Sequence, residues 1–256
     1  MGAGDHLTES IRSVHTNEEV NSLDIGDLSD FFNPFLRYFL RETIRCGGDV
    51  QVFGSGREVE GILIRDISEK AASIFARSEN VANALFSMHD HISIFSETPV
   101  ESAVEKEVYN IYVANPVELD PTHKFTNRIR MATEKDLPAI AALVRGIYGV
   151  MDGRWFTFAP HGEEKCFVAE IEGTIAGAAW NTTVSGHCRF HALSVSPPYR
   201  RMAIGTDLWH ARMLWARRSG AMQVLSEISE RNLPSMAIAE KGGMKRAGQM
   251  FCYHKP

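Results

Sequence analysis

Residues 189–216, RFHALSVSPPYRRMAIGTDLWHARMLWA, constrain this chain more than any other stretch. Phe190 to Val195 reads as a strand, and Ser196, Pro197 and Pro198 end it, because two consecutive prolines cannot donate to a ladder. A helix is expected to begin near Ala203, since Ile204, Leu208, Ala211 and Trp215 recur at helical spacing behind the small residues Ala203, Gly205 and Thr206. A strand, a tight loop and a helix in this order point several unpaired backbone N–H groups, and the positive end of the helix dipole, at one spot. That spot is an anion site, and a phosphate suits it.

The run LSVSPPYRRMAIGTDL resembles motif A of the GCN5-related N-acetyltransferases, a hydrophobic strand followed by R/Q-x-x-G-x-G/A. Arg200, Ala203 and Gly205 fall on its three signature positions, so alanine stands at the central glycine. A Cβ there costs roughly 1 kcal/mol if the backbone needs a positive φ. A second stretch, AMQVLSEISERNLPSMAIAEKGGM at 221–244, resembles the family's next strand, asparagine loop and helix, N-x-x-A-x-x-x-Y-x-K-x-G-F. Asn232, Lys241, Gly243 and Met244 match it, while Ser235 replaces alanine and Ala239 replaces tyrosine. The resemblance runs from about Arg128 to the end of the chain.

It implies an α+β fold, a central mixed but mostly antiparallel sheet flanked by helices, with acetyl-CoA as co-substrate and a primary amine as acceptor. The loop amides of Arg200, Arg201, Met202, Ala203, Ile204, Gly205 and Thr206 would hold the pyrophosphate. The backbone of Leu193, Ser194 and Val195 would meet the pantetheine and the thioester oxygen, and Asn232 would border the same site. Acetyl transfer needs a neutral amine, an oxyanion stabiliser and a proton for the leaving thiolate. Glu227, five residues before Asn232, has the spacing of the base in ribosomal-protein acetyltransferases that resemble this pattern, and a solvated strand-end carboxylate is the alternative. His191 is the other candidate base, because imidazole titrates near neutrality, although a strand histidine also suits a hydrogen-bonded core position. Ala239 leaves the acid open among Tyr253, Cys252, Tyr199 and water, and Glu163 and Glu164 receive no role.

Composition narrows the classes. The chain has 256 residues, 44% of them hydrophobic, enough for one large or two small cores. A net charge of −5 and the lack of a basic segment argue against nucleic acid. Cys46, Cys166, Cys188 and Cys252 have no C-x-x-C spacing and suit a reducing cytoplasm, with neither a metal site nor a disulfide framework. No segment is apolar for long enough to cross a bilayer and no signal peptide opens the chain, so a soluble cytoplasmic protein without a membrane partner is expected, with a homodimer left open.

The expected organisation is a mobile polar tail at 1–22, an amino-terminal α/β domain at 23–118, a Pro-containing linker and an acetyltransferase domain at 126–256. The first domain opens with a core helix carrying Phe32, Phe35, Leu36, Phe39 and Leu40 on one side and solvated Arg37, Arg41 and Arg45 on the other. Strand-like runs at 50–54, 59–64 and 71–76, a helix at 80–88, a strand at 91–95, a short helix at 100–107 and a strand at 108–113 follow. That order repeats the order expected of the second half, yet ARSENVANAL offers no phosphate loop. A degenerate copy of the same fold, or an unrelated α+β cap, fits this. In the second half a strand at 128–131 leads into a capping pair, Thr133 and Asp136, and a helix with Leu137, Ile140, Val144 and Ile147 on one face. Trp155, Phe156 and Phe158 suit either an acceptor-site roof or packing on the sheet. Two functions remain: an N-acetyltransferase, favoured by Glu227, and a non-catalytic acyl-CoA sensor, favoured by Ala203 and Ala239.

Overall fold

Residues 11–66, 71–87, 93–101, 105–118, 122–148 and 163–254 are described by a computed structural model. The contacts of the chain divide it into two units, one made of residues up to Tyr109 together with Gln249–Pro256, the other of Asn110–Gly248. The division falls upstream of the Pro-containing segment read as the linker, and the last residues of the chain group with the first unit.

The first unit contains β1 (Ile11–Val14), α1 (Asn17–Ser22), α2 (Asn33–Arg45), β2 (Asp49–Phe53), β3 (Gly61–Asp66), β4 (Ala71–Ala76), α3 (Glu79–Ser87) and β5 (Ser93–Ser96). Its strands lie in the order β1-β2-β3-β4-β5, and the next place is taken by β12 (Lys245–His254). The polar stretch expected to be a tail is structured from residue 11 onward. Thr16 and Glu19 form a capping box at α1, and Val14 and Val20 are buried, so two apolar anchors and a cap suffice where no periodic stripe exists. Residues 1–10 lie outside the described residues. Arg37, expected in solvent, donates to the carbonyls of Val20 (2.6 Å) and Leu23 (2.8 Å) and fastens α1 to α2. Pro34 sits in the first turn of α2, where its missing N–H has no intrahelical partner to lose. The short helix expected at 100–107 is not what forms at its end: Glu105 already opens β6 (Glu105–Ala114).

The second unit holds β7 (Arg128–Met131), α4 (Leu137–Tyr148), β8 (Glu164–Ile171), β9 (Thr174–Val184), β10 (His187–Val195), α5 (Ile204–Arg218), β11 (Gln223–Ser229) and α6 (Leu233–Lys241). Its strand order is β7-β8-β9-β10-β11, followed by β6. All ladders between β7 and β10 are antiparallel, and β10 pairs with β11 in parallel. Two tight turns, Glu172-Gly173 and Ser185-Gly186, have positive φ at both residues, the geometry that matches strand twist in two-residue hairpins. Thr133 and Asp136 make the expected capping box, and Arg130 donates to both carboxylate oxygens of Asp136 at 2.7 and 2.8 Å.

Equivalent details recur in the two units. β4 pairs in parallel with β5 as β10 does with β11. Gly61 pairs with Ala76, the last residue of β4, and Gly177 pairs with Val195, the last residue of β10. A Cβ on Gly61 would lie 2.6 Å from Val81 and 2.9 Å from Leu85 of α3; one on Gly177 would lie 2.8 Å from Ile204 and 3.1 Å from Leu208 of α5. In each unit a glycine lets the helix after the central strand settle on the sheet. Packed layers of this kind, helices on a mixed sheet, form an α+β fold.

Candidate active site

The ladder between β10 and β11 runs from His187↔Gln223 to Phe190↔Ser226, although β10 continues to Val195 and β11 to Ser229. At the point where pairing stops, the Ser226 hydroxyl donates to the Phe190 carbonyl at 3.0 Å. On its other edge β10 stays joined to β9, but the register shifts between His191 and Ser194, and Ala192 takes a φ of 50°. A bulge re-aims the backbone just where a strand leaves its neighbour. Leu193, Ser194 and Val195 thus lie beyond the last residue pair that β10 makes with β11.

Just beyond lies the loop singled out in the sequence. A 3-10 turn, Pro197–Tyr199, ends the strand, and Arg200 donates to the Val195 carbonyl at 3.4 Å. Arg201 and Ala203 both have positive φ, 68° and 62°, and Ala203 caps α5. The strain expected for alanine at the central glycine position is present, since an L side chain in the left-handed region costs roughly 1 kcal/mol. Gly205 serves a different need: a Cβ there would lie 3.0 Å from Ile238 of α6. Asp207 is the first residue of this turn whose N–H finds a backbone carbonyl, that of Ala203. Among the described residues the amides of 201–206 donate to no backbone carbonyl, which leaves donors at the start of α5 of the kind that suits an anion. Met202 is exposed.

The segment read as a linker holds this loop. Asp207, fully buried, accepts from the backbone N–H groups of Thr126 (3.1 Å) and Asn127 (2.9 Å), from Asn127 Nδ2 (2.8 Å) and lies 2.8 Å from His123 Nε2. Asn127 Nδ2 also donates to the Met202 carbonyl at 2.8 Å. No local pattern announces these partners, because they are about 80 residues apart in sequence. Asn232, expected near the cofactor, is the N-cap of α6 and accepts from the Ser235 N–H at 3.3 Å.

The face of the sheet that packs on α4 carries a row of polar groups. Glu164 (β8) pairs with Thr182 (β9), Thr182 with Arg189 (β10), and Trp180 with His191. Thr182 Oγ1 donates to Glu164 Oε1 at 3.2 Å and lies 3.0 Å from His191 Nε2, which is itself 3.4 Å from Glu164 Oε1. Arg189 Nε donates to Glu227 Oε1 at 2.6 Å, and the Glu227 side chain is 8% exposed, so it is not a solvated strand-end carboxylate. Ile140, Val144, Cys166, Ala178 and Trp180 form an apolar cluster between α4 and the same face of the sheet. Glu227 and His191, the two candidate bases, both lie on this face, and Glu164, given no role from the sequence, opens β8 and joins them there.

Tyr253 and Cys252 belong to the first unit, where the Tyr253 hydroxyl accepts from the Val100 N–H at 2.8 Å and burial pushes the Cys252 thiol up to about 12. Ala239 is buried beside Tyr112, whose hydroxyl donates to Glu240 at 2.8 Å. Trp155, Phe156 and Phe158 lie outside the described residues. Among the described residues no His, Cys, Asp and Glu cluster could hold a metal.

A parallel strand pair that forks beside a bulge, followed by an amide-lined loop at a helix start, is the arrangement of the GCN5-related N-acetyltransferase fold. Residues 127–244 match the acetyltransferase (GNAT) family. A Drosophila protein of known structure superposes with a TM-score of 0.66 at 15% identity, over 96% of this chain and 99% of its own. A tandem GNAT protein from the clavulanic acid biosynthesis pathway gives 0.63 at 14% identity, over 96% and 99%. A GCN5-related N-acetyltransferase from Sphaerobacter thermophilus gives 0.61 at 12%, over 97% and 96%. These likenesses extend the fold to the amino-terminal half, which is a second copy of it. No curated protein matches the chain in sequence.

Proposed function

We propose that the protein is an acyl-CoA-dependent N-acetyltransferase that moves an acetyl group from acetyl-CoA to a primary amine by direct attack. The observation that carries this reading is the fork at Phe190 and Ser226, with the bulge at Ala192, placed between the amide-lined loop and the polar row. The loop amides of 201–206 would hold the pyrophosphate, and the backbone of Leu193 to Val195, beyond the last pair with β11, would take the pantetheine and the developing oxyanion. Preorganised amides stabilise such charge without reorganising.

Of the two candidate bases, the geometry favours His191 over Glu227. Glu227 is engaged by the Arg189 guanidinium at 2.6 Å, a pair that an acceptor amine would have to displace to reach the carboxylate. His191 has a carboxylate nearby and imidazole chemistry suited to neutral pH. The C–N bond forms as the C–S bond breaks; of the two protons lost by the ammonium, one ends on the thiol and one in solvent. With Ala239 in the tyrosine position, water supplies the thiolate's proton, which a thiol of pKa near 8.5 scarcely needs.

The second reading, a non-catalytic acyl-CoA sensor, draws on Ala203 in strained backbone and Ala239 without a hydroxyl. An amine panel, peptide N-termini included, incubated with acetyl-CoA and a thiol-detecting reagent separates them. Thiol release with an amine supports the transferase; tight acetyl-CoA binding with no release across the panel supports the sensor.

A further inference from the structure

We propose that Glu164 and Thr182 are positioning residues that fix the tautomer of His191, leaving its Nδ1 as the atom that accepts the acceptor's proton. The proposal rests on the transferase reading above and adds to it two residues that neither the family motifs nor the sequence order point to.

The argument is one of proton counting. A threonine hydroxyl has one hydrogen to give. Thr182 Oγ1 lies 3.2 Å from Glu164 Oε1, and a carboxylate can only accept, so the hydrogen goes there. The same Oγ1 lies 3.0 Å from His191 Nε2 and, having spent its hydrogen, must accept from it. Nε2 therefore carries the proton in the neutral ring. Glu164 Oε1 stands 3.4 Å from the same nitrogen, which reinforces that choice. Nδ1 is left with its lone pair, and among the described residues nothing donates to it.

Burial makes the arrangement firm. Thr182 is fully buried, and the His191 and Glu164 side chains are only 13% and 15% exposed. Hydrogen bonds in such surroundings are less easily exchanged for water, and their loss is costly. When Nδ1 takes a proton from the amine, the ring becomes a cation with its second N–H already directed at Thr182 and the Glu164 carboxylate. Glu164 exchanges no proton; its negative charge stabilises the imidazolium, as an orienting carboxylate does behind other catalytic histidines. Arg189 and Glu227, on the same face, pair with each other, so their charges largely offset.

The test has two arms on the full chain. The first needs no turnover: histidine-ring nitrogen NMR of neutral His191 is expected to show the proton on Nε2 in wild type and a mixture of tautomers in Thr182→Val. The second is kinetic. Glu164→Gln is expected to lower kcat about ten- to a hundred-fold, less than the ~10²–10⁴ expected for loss of the base itself, with the acetyl-CoA KM unchanged. Glu164→Asp is expected to recover part of that loss. An Nδ1-protonated wild-type ring, or Glu164→Gln at the wild-type rate, overturns the proposal. A wild type that acetylates no amine while showing the Nε2 tautomer sinks the transferase reading instead, and removes the catalytic meaning of the arrangement with it.

Discussion

The two units follow the same order from their second strand to their fifth, β2-β3-β4-α3-β5 and β8-β9-β10-α5-β11, yet the backbone beyond their parallel ladders differs. In the first unit the parallel ladder ends at Ile74↔Ser96, and the chain then closes the gap itself. Thr98 Oγ1 donates to the Ala76 carbonyl at 2.9 Å, Ser96 Oγ donates to the Thr98 carbonyl at 2.7 Å, and Val100 packs in the core with Ala76, Leu85 and Tyr253. Between β3 and β4 the register never shifts, and among the described residues of 71–96 no φ is positive. Helix α3 starts with Glu79, a carboxylate already at the positive end of its dipole. In the second unit the equivalent places carry a register shift between His191 and Ser194 and positive φ at Ala192, Arg201 and Ala203. The same scaffold thus becomes core in one copy and candidate cleft in the other through a handful of backbone positions.

The largest effect expected from this contrast is kinetic. His191→Gln should lower kcat/KM by about 10²–10⁴ while acetyl-CoA affinity stays within a few-fold, because a base acts on the acceptor side. Glu227→Gln should lose less, since that carboxylate is held by Arg189. Steady-state rates with calorimetric affinities decide between the two; equal losses in both variants would return Glu227 to the base position.

Next comes the anchoring of α4, the helix behind the polar row. Asp136→Ala should cost about 2 kcal/mol in urea unfolding, because it removes a cap and a bidentate arginine pair together. The Arg130 guanidinium holds the Asp136 carboxyl below its ordinary 3.8 in the folded state. A depressed folded value means that this stability is present above 3.8 and disappears as pH falls through the folded value. The gap between wild type and Asp136→Ala should therefore shrink in acid. A gap independent of pH would show that the carboxylate charge is irrelevant.

Replacing Gly61 or Gly177 by alanine tests the equivalence of the units directly. Each Cβ would meet a helix side chain below 3.0 Å, so each variant should lose about 1–3 kcal/mol through overpacking. Strongly unequal Tm losses would mean that one helix can yield and the other cannot. The smallest effect is a gain: Ala203→Gly relieves a positive φ but adds freedom to the unfolded chain, for a net stabilisation of about 0–1 kcal/mol. A lower Tm in that variant would contradict the strain.

Much of this was legible in the sequence, and what was not has a physical reason. The strand, double proline and periodic helix of 189–216 are local signals, and so are the Thr133-Asp136 cap and the Glu172-Gly173 turn. The fate of β12 was not legible, because nothing in KRAGQMFCYH tells which sheet edge will bury Tyr253. Asp207 carries no local signal, because its partners His123, Thr126 and Asn127 lie about 80 residues away in sequence. Glu164 was passed over for the same reason: its significance lies in Thr182 and His191, on two other strands.

The central claim, that one copy is open to acetyl-CoA and the other is closed by its own chain, is tested most directly by calorimetric titration of the full chain with acetyl-CoA. The account predicts one molecule bound per chain, and no binding by Gly205→Asp, which sets a negative charge among the loop amides. Gly205→Ala controls for the contact with Ile238 and should retain binding. Two molecules per chain, or undiminished binding by Gly205→Asp, would contradict it.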